Sequence, residues 1–140
     1  MEELLVLVLL LNEGIVSKAE YEHTLDNLFL KSPEDSMLLY LETAADIKSS
    51  ISYINAHIEY PAFDYNKFGR ILMKRLKNYY IGCADINDFA GKMYSLWQHL
   101  PDKIKCEEPF LTFNYAGDPL SWGDEKQSRA VFEQIINFFV

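Results

Sequence analysis

The chain has 140 residues, 49% of them hydrophobic and 24% charged, with a net charge of −8 at pH 7. A chain of that length buries about 68% of its unfolded surface and needs neither metal nor disulfide to fold, so a single domain over 1–140 is expected. Six glycines, five prolines and two cysteines exclude a collagen, a low-complexity segment and a disulfide scaffold. The acidic balance argues against a nucleic-acid partner.

Helix punctuation organises the sequence. Glu2 to Asn12 reads as a first helix stopped by Gly14. Its apolar run, Leu4 to Leu11, falls far short of the ~20 residues of a membrane helix. It follows two glutamates where a secretory signal carries bases, and no small-residue cleavage site appears by Gly14. A core helix in a cytoplasmic protein with no membrane partner is expected. Ser17 and Glu20 form a capping box for a second helix running to about Lys31 and burying Tyr21, Leu25 and Leu28 or Phe29. Ser32-Pro33-Glu34-Asp35 announces a third helix, with Ser32 as cap and Pro33 in the first turn. Met37, Leu41, Ala44, Ile47, Ile51, Ile54 and Ile58 recur at steps of three and four, which predicts one long helix ending at Tyr60-Pro61.

A fourth helix is expected from Asp64 to Tyr80–Gly82, burying Phe68, Ile71, Leu72, Leu76 and one of Tyr79 and Tyr80. Asp85 caps a fifth, with Phe89, Met93, Leu96 and Trp97 inward and Leu100-Pro101 as its stop. Residues 101–122 interrupt the pattern, and the alternation through Phe110 to Tyr115 allows a short extended stretch. Gly123 or Ser121 opens a last helix carrying Ala130, Val131, Ile135, Ile136 and Phe139. The expected class is all-α: a compact bundle or short solenoid-like array of about six helices, with one long aromatic and acidic loop before the last.

Charge is unevenly placed. Residues 1–60 hold eleven acids and three bases, whereas residues 61–140 hold ten of each. On the expected third helix Asp35, Glu42, Asp46 and Ser49 share a face opposite the apolar stripe. Such a face either complements a basic partner or simply keeps the chain soluble. The fourth helix carries the reverse, with Lys67, Arg70, Lys74 and Lys77 on one stripe widened by Arg75. Solvated surface, packing near the acidic helices, and contact with a phosphate or acidic partner all remain open for it. Phe68 and Tyr79 fall on its buried face, away from the bases, which weakens a base-stacking groove.

Catalytic and metal signatures do not emerge. His23, His57 and His99 lie far apart, and HExxH and GxSxG are missing. Asp85-Ile86-Asn87-Asp88 lacks the glycine and terminal glutamate of a calcium loop. Cys83 and Cys106 match no metal spacing and read as inert, mostly buried thiols. No enzyme, cofactor or metal is expected. The most singular segment runs from Pro109 to Glu125. It sets Phe113, Tyr115 and Trp122 beside Asp118, Asp124 and Glu125, a composition suited to a cationic partner surface. The competing account has Trp122 and Phe110 tacking the loop to the core while Asp124 and Glu125 serve the last helix.

A short acidic helical chain with the run Phe110 to Glu125, closing in Gly-Asp-Pro-Leu-Ser-Trp-Gly-Asp-Glu, resembles the immunity proteins of bacterial toxin–immunity systems, those of contact-dependent inhibition included. The likeness implies tight binding of a cognate toxin domain, often a basic nuclease, and occlusion of its active or substrate-binding surface. The expected contact residues are Asp35, Glu42, Asp46, Tyr115, Asp118, Trp122, Asp124 and Glu125. A helical adaptor or regulatory subunit for another cytosolic protein is the alternative, and a small enzyme or nucleic-acid regulator acting through Lys67 to Lys77 is the third reading.

Overall fold

A computed structural model of the protein describes residues 1–139. Among them every regular element is helical: eight α-helices and three 3₁₀ turns, more than the six helices expected from the sequence. Backbone contacts gather the chain into two compact units, Met1–Asp64 and Tyr65 onward.

The first unit contains α1 (Glu2–Asn12), α2 (Lys18–Lys31), α3 (Ser36–Thr43), α4 (Ile47–His57) and a 3₁₀ turn at Tyr60–Ala62. Helix α1 is apolar on all sides, and Leu4 through Leu10 are all buried, as a helix without a polar face must be. It packs on α2 and α4, and α2 packs on α3. Gly14 ends α1 as the sequence indicates. At φ 74° its amide reaches the Leu11 carbonyl while the Ile15 amide reaches Leu10, so two otherwise orphaned carbonyls are satisfied. Ser17 caps α2 by accepting the Glu20 amide at 3.2 Å.

The long third helix is corrected to two. Ala44 turns extended (ψ 136°), and Asp46 restarts the chain as the cap of α4, accepting the Ser49 amide at 2.8 Å. Just before the break, the Thr43 hydroxyl donates to the Leu39 and Tyr40 carbonyls. Such back-bonding and the Asp46 cap both compete with a continuous helical ladder. The start is corrected too: Ser32 closes α2, residues 32–35 form a turn, and Asp35 caps α3 through the Met37 and Leu38 amides.

The second unit contains α5 (Tyr65–Gly82), α6 (Ile86–His99), the single turn α7 (Asp102–Lys105), 3₁₀ turns at Phe110–Asn114 and Asp118–Trp122, and α8 (Glu125–Ile136). Its core joins Phe68, Leu72 and Leu76 of α5 to Phe89, Met93 and Leu96 of α6 and to Phe132 of α8. The Phe89 and Phe132 rings meet edge to face at 5.0 Å, the arrangement their quadrupoles favour. Phe132 was not among the expected core residues. The buried face of α8 is Ser128, Phe132, Ile135 and Ile136, while Ala130 is exposed.

The segment before α8 is neither an open loop nor extended. Phe110, Phe113, Ala116 and Pro119 are all buried, and their three-residue step is the repeat of a 3₁₀ helix. The buried Ser128 hydroxyl donates to the Ala116 carbonyl at 2.8 Å and ties this segment to α8. Gly123, at φ 80°, ends the second turn, and Asp124 rather than Gly123 or Ser121 caps α8. No helix among the described residues is long and apolar enough to cross a membrane.

Candidate functional site

The eight expected contact residues fall on both units: Asp35, Glu42 and Asp46 on the first, and Tyr115, Asp118, Trp122, Asp124 and Glu125 on the second. Splitting the third helix redistributes the acidic face. Asp35 borders a recess of about 360 Å³ with Met1, Glu2, Tyr53 and His57. Glu42 and Asp46 instead border an open cavity of about 620 Å³. There they meet Glu22 and Asp26 of α2, two acids one helical turn apart that sequence reasoning counted without placing.

That cavity has an apolar floor and an acidic rim. Leu11, Leu25, Leu41 and Ile47 line it together with Glu22, Asp26, Glu42 and Asp46. Lys18 is the basic residue in the lining; it stands 3.7 Å from Glu22, with both side chains largely solvated. Partial desolvation raises the Glu42 carboxyl, and a hydrogen bond to Asp26 and the charges of Asp26 and Glu22 raise it further. Asp46 moves the other way, because the Ser49 amide and hydroxyl and the Lys48 amide stabilise its carboxylate. Two phenol and hydroxyl groups reach the same space. Tyr21 is only 6% exposed, and its hydroxyl is closed off from solvent. Ser50 is a polar neighbour of that phenol, but its hydroxyl is directed to the Asp46 carbonyl at 3.4 Å. Burial raises the Tyr21 phenol, the Ser50 hydroxyl beside it opposes the rise, and the charges of Glu42 and Glu22 add to it.

In the second unit the aromatic–acidic segment divides by role. Asp124 accepts the Gln127 amide at 3.0 Å, and Glu125 holds the Arg129 Nε at 2.8 Å. Both therefore work at the start of α8, where negative charge is favoured. Phe110 and Phe113 are core residues. Trp122 is 64% exposed and Tyr115 49% exposed, with Asp118 on the surface near them in sequence. Trp122 does not tack the segment down; its ring is presented to solvent.

The basic stripe on α5 has a local structural use. Arg70, Lys74 and Lys77 border a recess of about 250 Å³ with Ile136, Asn137 and Phe139, at the carboxyl end of α8. Lys77 donates to the Asn137 amide oxygen at 3.4 Å. Cations there complement the negative end of the α8 dipole. The histidines are likewise engaged locally. His57 and His99 bond the Tyr53 and Ser95 carbonyls at 2.8 Å, and His23 pairs with Asn27. Cys83 is half-buried and Cys106 exposed, so the expectation of two mostly buried thiols is corrected. Among the described residues no group of three or more His, Cys, Asp or Glu is placed to hold a metal ion.

Comparison of the chain with protein-family models, with curated proteins and with solved structures finds no match.

Proposed function

We propose that the protein is a stoichiometric binding protein of the immunity type, which neutralises a basic toxin domain in the cytoplasm by covering its active or substrate-binding surface. One observation carries the reading: the first unit holds twelve acids and three bases, so nine negative charges exceed what its own bases neutralise. Self-repulsion of that size opposes folding of a small unit and is relieved by a cationic partner. The same charge accelerates encounter with a basic surface and rejects acidic ones. A nuclease fits this description well, since its substrate cleft is built for phosphates and carboxylates offer it similar charge.

The exposed Trp122 and Tyr115 supply what charge alone does not. Rim charges set association rate, whereas large aromatic side chains placed in a partner's cleft supply most of the affinity. The reading is tested on the partner's activity. Titrating the purified toxin domain with the protein abolishes its activity at one equivalent. A complex that forms at one-to-one stoichiometry and leaves every activity of the partner intact overturns the immunity reading in favour of an adaptor.

A further inference from the structure

The recess at the carboxyl end of α8 combines apolar walls with a basic rim. Met73, Ile136 and Phe139 supply the walls, and Arg70, Lys74 and Lys77, all exposed, stand around them. Its volume of about 250 Å³ falls under the range of about 300–1,000 Å³ of small-molecule pockets and suits a single aliphatic side chain of a protein. No acid occurs between Tyr65 and Gly82, so an aliphatic side chain flanked by acids is the one this rim favours. The chain carries that combination itself. On α3 Leu39 is 51% exposed, and Asp35 and Glu42, both exposed, stand one helical turn before and after it. Asp35 and Glu42 are seven positions apart, as are Arg70 and Lys77, which is about 10.5 Å along a helix in each case. Two carboxylates around a leucine thus match, in sign and spacing, two cations around an apolar recess.

We propose that this recess docks a second copy of the chain, whose Leu39 enters it while Asp35 and Glu42 pair with Arg70 and Lys77. Removing the leucine side chain from water favours the contact, and a guanidinium holds a carboxylate with two N–H groups. Two chains of net charge −8 repel as wholes. At about 0.1 M salt, however, charges more than about 10 Å apart are largely screened, and pairs in contact much less so. Because the two faces differ, the contact is heterologous and repeats from chain to chain until the geometry closes a ring. Species from the dimer upward are therefore expected. The assignment goes beyond the toxin-binding role and does not depend on it. The two meet at Asp35 and Glu42, so a basic partner that covers those acids releases the chains from one another.

Sedimentation velocity of the full chain, from micromolar to near-millimolar concentration, tests the proposal. In about 0.1 M NaCl the weight-average mass rises with concentration above that of the monomer, and at about 0.5 M NaCl it returns to the monomer. Arg70→Glu with Lys77→Glu alters the recess alone, and Glu42→Lys alters the inserting face alone; each raises the dissociation constant at least tenfold. Leu39→Ala raises it several-fold. All these variants keep the wild-type helical content by circular dichroism, because the positions are exposed. Mixing the recess variant with the Glu42→Lys variant restores association, since one keeps the leucine face and the other keeps the recess. A chain that stays monomeric in low salt overturns the proposal, as does association that strengthens with salt or survives both sets of substitutions. A mixture as monomeric as its components overturns it too, because the two faces then do not pair. A strictly monomeric chain that captures a basic toxin domain refutes self-association and leaves the binding role standing. Salt-sensitive self-association by a chain that captures no such partner supports the docking site and refutes the immunity role.

Discussion

Glu42→Gln is expected to make the protein more stable and a poorer binder at the same time. The Glu42 carboxyl is raised by its partial desolvation and by Asp26 and Glu22, so the folded state holds its proton to higher pH than the unfolded chain does. Wild-type stability therefore falls as pH rises from the ordinary carboxylate range through the raised folded-state value, and stays lower at neutral pH. Glutamine removes that titration and keeps the shape of the side chain. Two like-charged neighbours on exposed helix surfaces are worth about 0.2–0.5 kcal/mol each, so the gain at pH 7 and low salt is bounded at about 1 kcal/mol. For a chain of this length that corresponds to a rise in Tm of about 2–5 °C. Calorimetric melts of both chains at pH 7 in low salt, at pH 7 in 0.5 M NaCl, and at pH 3 measure it. The gain shrinks in salt and disappears at pH 3, where the wild-type Glu42 carboxyl is protonated in the folded and unfolded chain alike. A Glu42→Gln chain that melts below wild type at pH 7, or gains equally in high salt, refutes the view of this cavity as electrostatically strained.

The remaining predictions concern the elements that frame the two candidate surfaces. Phe132→Ala removes a fully buried ring in edge contact with Phe89 and costs about 3–5 kcal/mol in urea unfolding; a loss below 1 kcal/mol contradicts the assigned core of the second unit. Ser128→Ala leaves the buried Ala116 carbonyl without its donor and costs about 1–3 kcal/mol, with faster amide exchange around Ala116 as the local signature. The Asp46 carboxyl is held below its ordinary value by the Ser49 amide, so its contribution is present above the ordinary carboxylate range and is lost as pH falls through the lowered value. Asp46→Asn is accordingly expected to flatten the loss of stability between pH 5 and pH 2, and an unchanged acid profile speaks against the cap. Trp122→Ala changes stability by less than about 0.5 kcal/mol because the ring is exposed. It weakens partner binding about thirtyfold, as loss of an aromatic anchor worth ~2 kcal/mol does; unaltered affinity removes the second unit's aromatic segment from the interface.

Local signals in the sequence carried much of this structure. Gly14, Ser17 and Asp85 sit where helix-end chemistry requires them, and the periodicities of α5 and α6 mark Phe68, Leu72, Leu76, Phe89, Met93 and Leu96 as buried, while Ile71 and Trp97 prove half-buried and the buried Met73 and Ile86 were not anticipated. The break between α3 and α4 was not legible, because Leu41, Ala44 and Ile47 keep the three- and four-residue steps in phase across it. Only the competition of Thr43 and Asp46 for backbone groups marks the site, and it takes tertiary packing to decide the outcome. The segment before α8 was misread for a related reason. Phe110, Phe113, Ala116 and Pro119 show a step of three, but the apolar–polar alternation of intervening residues imitates a strand. Of the acidic surface, the charge excess was legible and its geometry was not. Glu22 and Asp26 meet Glu42 only because α2 packs on α3, a pairing between helices that no single-helix projection contains.

In the proposed role, the acidic first unit is covered by a basic partner. Affinity capture from the native host with the full chain as bait, in low and high salt and alongside the Asp26→Asn/Glu42→Gln chain, tests it most directly when partners are identified by mass spectrometry. The account predicts recovery of a basic toxin domain at one-to-one stoichiometry, reduced by salt and by the double substitution. Recovery of an acidic partner, or of a housekeeping complex indifferent to salt and to the substitutions, would contradict it.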